Sequence, residues 1–523
     1  MKKTVLPVVM LLAVSVITVG IVIGASAGTK DQTTAMTDSP AGQSLRVSET
    51  ENPRAAAAPV VTTIQLTPQN DPGNWRHPAV GEDSKGNRLV ILRGPEGTKY
   101  YYVYCAKGGS WSSPRIIADG NQPILENSLY ANIKVDSNDR FHCTWEDADA
   151  QVYASFRDGV WSTPFTISRY GRYDLISSAL DIRSDDTVVT ADCSVQGYSK
   201  DIYFHVKGKN DADFGKPFNA TRDSVEGSTQ PCIAIDSKDN TWLVWKSDLL
   251  LPGVDENLVI FLAQFDVNNN DVNDWIRLST SPGWSFVPQV AVNSEDKLMA
   301  AWAFPTGGAY SSRAYDPATK TLGPEILFEI SLLRAPWHTF FIRMASHDKD
   351  FYVTAITAAR TIPLMKFNEA TAKWDQVAEG ADRGVEMHSL FSGYDNMLIA
   401  WNSFEEPTSV FLTTVSVAPY SKIRIKSVSN LKVEKRVERG LFRGYTLNAL
   451  TWVANPENIE KAITVTAQRV YRKVRTEDNT KWIRIAEVPG KDLKYEDRKL
   501  AANSDYVYAV TCVDDNQKES SVF

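Results

Sequence analysis

Seven times between residues 77 and 401 the chain repeats one unit: an alternating apolar strand, a short polar turn opening with serine, and a second apolar strand. YANIKVDSNDRFHCTW (130–145) and QPCIAIDSKDNTWLVW (230–245) show it most clearly. The turn serines Ser84, Ser137, Ser184, Ser237, Ser294, Ser346 and Ser392 follow one another at 53, 47, 53, 57, 52 and 46 residues. A period of that size accommodates one four-stranded antiparallel sheet, and seven such sheets in series bury their faces by radial stacking. The expected fold is therefore all-β, with a seven-bladed β-propeller over residues 60–418. Period-two alternation, as in Ile233 and Ile235 around Ala234, makes each first strand an inner strand with one face toward each neighbouring blade. Asp or Asn beside the serine supplies Asx-type hydrogen bonds and tolerates positive φ. Trp145, Trp245, Trp302 and Trp401 recur at nearly one offset in the second strand and read as core rings that fill the gap between blades.

Each unit continues into a further hairpin, with Trp111, Trp161, Trp275 and Trp374 beside turns, but the seventh ends after SVFLTTVSV (409–417). An outer strand for it is available at the other end of the repeat region. VTTIQLTPQN (61–70) precedes the first unit and is expected to pair into the last blade, closing the ring and removing exposed sheet edges.

The chain opens with Lys2 and Lys3, an apolar run from Val5 to Gly24 and then Ala25-Ser26-Ala27. This pattern reads as an export signal over residues 1–27, cleaved after Ala27. An uncleaved anchor is the alternative, since about twenty apolar residues can span a bilayer. Both place the remainder outside the cytoplasm, secreted or at the cell surface or in the periplasm. Residues 28–59, rich in Thr, Ser and Ala without a period, read as a flexible linker, and residues 419–429 as a second one. Cys105, Cys143, Cys193, Cys232 and Cys512 lack metal-site spacing and read as buried thiols, with a Cys143–Cys193 pairing open if neighbouring blades bring them close. No metal or cofactor motif is visible, and none is expected. Residues 421–523 hold 20 Lys+Arg against 14 Asp+Glu, a net of +6, so residues 1–420 carry −13 to reach the whole-chain −7. Such an acidic large domain opposes nucleic-acid binding, which needs a basic face.

From Asn430 the pattern changes to five alternating strands in about ninety residues, the size of a small sandwich. Trp452 is its expected core ring. Leu500 lies six residues before Tyr506, and Tyr508 and Val510 follow. This segment resembles the tyrosine-corner region of fibronectin type III domains, which implies a fibronectin type III-like β-sandwich over residues 430–523. Such modules space, dock or bind, so a protein partner is a further expectation here.

The links between consecutive repeats are expected to gather around one mouth of the central channel. They carry Trp75, Arg76 and His77; Tyr130; Arg172, Tyr173 and Asp174; Arg222 and Glu226; Trp284; Arg334 and Trp337; and Arg383. Guanidinium forks suit carboxylate and sulfate groups, and flat aromatic rings suit sugar faces. The alternative is that these side chains only pair with adjacent acids and cover the gaps between blades. The repeats, with apolar inner strands, Ser/Asp turns and trailing Trp, resemble the BNR-repeat, sialidase-like propeller superfamily over roughly residues 60–418. That resemblance implies a glycan ligand, a cell-envelope polysaccharide included. The chain departs from the family pattern. DSKDNTW (236–242) is its nearest approach to the Asp-box, and Arg360-Thr361-Ile362-Pro363 is displaced from the usual Arg-Ile-Pro position. For glycoside hydrolysis, Tyr173 with Glu226 could serve as nucleophile and Asp174 or Asp223 as acid. For a polysaccharide lyase, His77, His338, Tyr130 and the link arginines are available. A glycan binder, a glycan-cleaving enzyme and a protein-interaction scaffold all remain open at the sequence level. His142, His205 and His388 fall within strands and read as structural.

Overall fold

The computed structural model describes residues 59–523 except 70, 72, 98, 120–130, 148–149, 170–178, 197–198, 222–226, 249–257, 267–270, 273, 281–284, 305–308, 330–340, 358, 382–384, 405–406, 419–426, 440–443, 461–463, 477–481, 502–503, 515–519 and 521–523. The expected signal or anchor and nearly all of the first linker lie outside the described residues.

The protein is all-β, with one five-residue helix, Pro456–Glu460, among the described elements. Seven antiparallel sheets follow one another along the chain. Their first strands are Arg76–Glu82, Asn132–Val135, Ala179–Ile182, Ser228–Ile235, Phe286–Val292, Ile342–His347 and Val385–Ser392. In the first six sheets the remaining strands are added outward in chain order. The seventh takes its outermost strand from the start of the repeat region: Val61–Gln65 pairs antiparallel with Val410–Ser416, Val61 opposite Val415. Each first strand packs against those of the sheets before and after it, and the first sheet's also meets the seventh's, so the series returns on itself.

The turn serines act between sheets. The Ser84, Ser137, Ser184 and Ser237 amides donate to Asp139, Asp186, Asp239 and Asp296 in the next sheet's turn, at 3.0, 2.9, 2.6 and 2.9 Å. Those four aspartates have φ between 59° and 66°, a left-handed conformation that Asp tolerates better than most side chains. Tyr394 N donates to Glu82 Oε1 at 3.0 Å and carries the series from the seventh sheet back to the first. Ser346 and Ser392 depart from the expected pattern, since both lie in strands. Here the sixth sheet makes a tighter hairpin, with His347 directly opposite Asp350. Ser346 Oγ donates to Val292 O at 2.6 Å, and Ser392 Oγ lies 2.8 Å from His347 Nδ1.

Six of the seven seams between sheets are filled with hydrocarbon. Trp145, Trp245, Trp302 and Trp401, all at most 5 % exposed, sit in four of those apolar clusters as the repeat pattern requires. The seam between the second and third sheets is different: its buried apolar cluster is only Tyr153, Leu180 and Val188. Polar groups fill the rest. Thr144, Gln151, Thr190 and Asp192 are fully buried there, and Ser168 Oγ donates across it to Asp192 Oδ2 at 2.5 Å. All five cysteines are free thiols, so Cys143 and Cys193 are not bridged.

Beyond the seven sheets lie two three-stranded ones. Gly444–Val453 is flanked by Ser429–Arg439 and Lys494–Asp497, and Val465–Val474 by Ile483–Pro489 and Tyr506–Asp514. Trp452, 4 % exposed, packs with Leu450, Val470, Tyr508 and Val510. Tyr508 Oη donates to Asp497 Oδ2 at 2.9 Å, and Arg472 Nη1 reaches the same oxygen at 2.7 Å. The Tyr506 hydroxyl accepts from Ala501 N at 3.3 Å, a bond back to the segment just upstream of its strand.

Candidate functional site

The seven first strands enclose a cavity of about 460 Å³. Runs of consecutive first-strand residues, Asn132–Val135 and Gln289–Val292 among them, line it. Several of those positions are polar: Lys134, Asp181, Gln289, Arg343 and Ser389 all line it, together with the half-buried Cys232. Lys134 Nζ lies 3.2 Å from Asp181 Oδ1, and Ile235 N donates to Asp181 Oδ2 at 3.0 Å. Arg343 Nη1 donates to Ile342 O at 3.0 Å. Burial raises the Cys232 thiol above its usual pKa, while Lys134 and Arg343 pull it down and Asp181 pushes it up, so all three charges act on one point of the channel. The cavity's two cations, Lys134 and Arg343, share this waist with Asp181, while Glu82, Asp83, Asp136 and Asp139 line the cavity at the end where the first hairpins turn. Sequence reading missed it. The available signal was the polar interruption of otherwise apolar inner strands, as in Asn132–Val135 (NIKV) and Ala179–Ile182 (ALDI).

At the end where the first strands begin, three residues enter their strands with a left-handed backbone immediately before proline: His77 (φ 53°), Gln230 (φ 56°) and Val287 (φ 50°). Each sits at a register shift in its ladder, and Val287 N donates across to Gln230 Oε1 at 2.8 Å. A β-branched residue at positive φ is strained, and strain of this kind gathers at functional sites. Nearby, the Arg360 guanidinium lies 3.1 Å from the centroid of the exposed Phe404 ring.

Of the link residues expected to bind ligand, three are described. Trp75 is 5 % exposed, packs edge-on against Tyr101 with centroids 4.9 Å apart and donates from Nε1 to Asp71 Oδ2 at 3.1 Å. Its ring belongs to the core between the seventh and first sheets, which withdraws it as a sugar platform. Arg76 begins the first strand, half-buried and opposite Arg93 in the ladder. His77 is buried, and its pKa is lowered to about 3 by burial first and then by the Arg93 and Arg76 charges. Its Nδ1 has no hydrogen-bond partner among the described residues. A group held neutral to that degree is a weak base, which removes the main reason for giving His77 a proton-abstracting role. Tyr130, Arg172, Tyr173, Asp174, Arg222, Asp223, Glu226, Trp284, Arg334, Trp337, His338 and Arg383 lie outside the described residues.

His142 and Tyr153 were not expected together. His142 Nδ1 lies 2.6 Å from Tyr153 Oη, and its Nε2 lies 3.2 Å from Asp136 Oδ2. His388 Nε2 lies 2.9 Å from Thr354 Oγ1, and His205 Nε2 lies 3.0 Å from Asp192 Oδ2. Among the described residues no group of three His, Cys, Asp or Glu is placed to hold a metal ion.

No protein-family model and no curated protein matches the sequence. Solved structures do. A polysaccharide lyase, Uly1, aligns at TM-score 0.46 and 7 % identity over 65 % of this chain and 90 % of its own. A protein of unknown function from Dyadobacter fermentans aligns at 0.41 and 8 %, over 68 % and 99 %. The α-L-arabinanase of Penicillium chrysogenum aligns at 0.38 and 16 %, over 57 % and 95 %. Likeness at this level assigns the chain no activity.

Proposed function

We propose that the chain is an exported seven-bladed β-propeller with a C-terminal fibronectin type III-like sandwich, and that it binds an anionic glycan in its central channel. The returning series of seven sheets supports the propeller, and the two three-stranded sheets around Trp452 support the sandwich. The observation that carries the ligand class is that both cations of the channel lining, Lys134 and Arg343, stand at the level of Asp181, apart from the other four lining carboxylates, Glu82, Asp83, Asp136 and Asp139, which lie at the hairpin-turn end. Glutamine, serine and backbone groups around them suit hydroxyls, and a cavity of about 460 Å³ is within the usual size of small-ligand sites. A uronate or a sulfated sugar meets both requirements. The link residues Arg76, Arg172, Arg222, Arg334 and Arg383 would then extend recognition at the mouth.

A glycan array, with hydrolysis and lyase assays on the same preparation, tests this. Binding of acidic but not neutral glycans, without turnover, is the expected result. Turnover abolished by Tyr173→Phe would replace binder with enzyme. An array with no acidic hit would leave the protein-interaction scaffold as the better reading.

A further inference from the structure

We infer that the cleft between the second and third sheets is a second binding site, taking one acidic, hydroxyl-bearing sugar unit. It opens at the end where the first hairpins turn, has a volume of about 620 Å³, and is lined entirely by described residues. The inference rests on the glycan reading of the chain but not on the channel.

Three observations meet there. The cleft is lined by Arg140, Arg157, Lys207 and Lys209 against Asp136, Asp186 and Asp213. Two of those three carboxylates are already engaged. Asp186 Oδ2 takes Lys209 Nζ and Asn138 Nδ2, both at 2.7 Å, and Asp136 Oδ1 accepts the Asn138 and Arg140 amides at 2.8 and 2.9 Å. Arg157 lies 3.4 Å from Asp158, and Lys207 donates to Asp211 O. The half-buried Arg140 guanidinium has no ion-pair partner among the described residues, and it acts electrostatically on Tyr153. It is therefore positioned to meet an anionic group.

Tyr153 supplies the second feature. With Nε2–H of His142 donating to Asp136, Nδ1 accepts the Tyr153 proton, which fixes the hydroxyl's direction and leaves its oxygen able to accept from a ligand hydroxyl. Beside it, Phe165 and Phe214 stack with centroids 6.2 Å apart, and Tyr153 meets Phe214 edge-on at 5.2 Å, forming an apolar wall next to the polar groups.

The third feature lies behind this wall. Thr144, directly opposite Tyr153 in the ladder, has an Oγ1 without a hydrogen-bond partner among the described residues. So do both polar atoms of Gln151, Thr190 Oγ1 and Asp192 Oδ1, and all four residues are fully buried. Buried polar atoms left unsatisfied are costly, and this seam gathers five of them, where the hydrocarbon-filled seams hold scattered ones such as Trp245 Nε1, Trp302 Nε1 and Ser311 Oγ. None of these four side chains lines the cleft, so the cluster suits buried water behind Tyr153 rather than close packing.

Calorimetric titration of the full chain distinguishes the two sites. The probes are an oligogalacturonate trimer and a sulfated galactan trimer, each with its methyl-esterified or desulfated counterpart. The expected result is two acidic-probe sites per chain. Arg140→Ala should weaken one of them about ten- to hundredfold while sparing the site sensitive to Lys134→Ala and Arg343→Ala. Phe214→Ala should weaken the same site as Arg140→Ala, and Arg140→Ala should do so with the thermal midpoint unchanged. Acidic-probe binding at a single site, insensitive to Arg140→Ala and Phe214→Ala, would overturn the inference and leave the channel reading intact. No binding of either acidic probe would overturn both.

Discussion

Asp139, Asp186, Asp239 and Asp296 each do two things in their turns. They adopt a left-handed backbone, and their carboxylates receive the amide of the preceding sheet's serine. The left-handed role is readable from the sequence because Asp and Asn are common at such positions. The latch is not, because its partner stands about fifty residues away and only the stacking of consecutive sheets brings it near. At Asp239, removing both roles by Asp239→Ala should cost about 1–2 kcal/mol, whereas Ser184→Ala, which leaves the amide in place, should cost about 0.5 kcal/mol. Urea unfolding of the two variants measures this, and equal losses would mean that the carboxylate does not bridge the turns.

Two buried histidines make stability depend on pH. Burial first, then nearby arginine charge, lowers His77 and His388 to about 3. In the unfolded chain they take up protons near pH 6.5, so between 6.5 and about 3 the unfolded state binds more protons. Stability is therefore full above pH 6.5 and lost as the pH falls through that window, by about 2 kcal/mol per histidine at pH 5. His388→Gln should lose about 2 kcal/mol less than the parent between pH 7 and pH 5 in urea unfolding. An identical loss in both would show that His388 does not contribute.

At the scale of elements, the strand Val61–Gln65 was legible before the structure because the seventh repeat lacked an outer strand, and it pairs where that gap required. A chain beginning at residue 68 leaves Val410–Ser416 as an open edge. Relative to one beginning at residue 59, it should melt several degrees lower and associate with rising concentration. Equal midpoints and a monomer in both cases would mean that this strand does not close the ring. The hairpin turns of the sixth and seventh sheets were misplaced because serine was taken as the marker. In those sheets the turn is shorter, and serine falls on the strand before it.

At the scale of the molecule, periodicity located the sheets but could not locate a site. The links were expected to hold the site because they gather arginines and aromatic rings around one mouth of the channel. The groups that actually converge among the described residues are Lys134 with Arg343 in the channel and Asp136 with His142 and Tyr153 in the cleft; all but the turn residue Asp136 lie on strands, where charge and imidazole read as incidental. Their convergence depends on neighbouring sheets, which one sequence's alternation does not encode. Trp75 failed in the opposite direction, because an aromatic ring on a link looks the same whether it faces a ligand or seals a seam.

The central claim is that paired cations on the channel wall bind the acidic group of a glycan. It is tested most directly by the affinity of the strongest acidic array hit for the parent chain and for Lys134→Ala and Arg343→Ala. Each variant is expected to weaken binding by about 1.5–3 kcal/mol, ten- to hundredfold, with little change for the hit's methyl-esterified or desulfated form. Unchanged affinity for the acidic hit in both variants would contradict the claim.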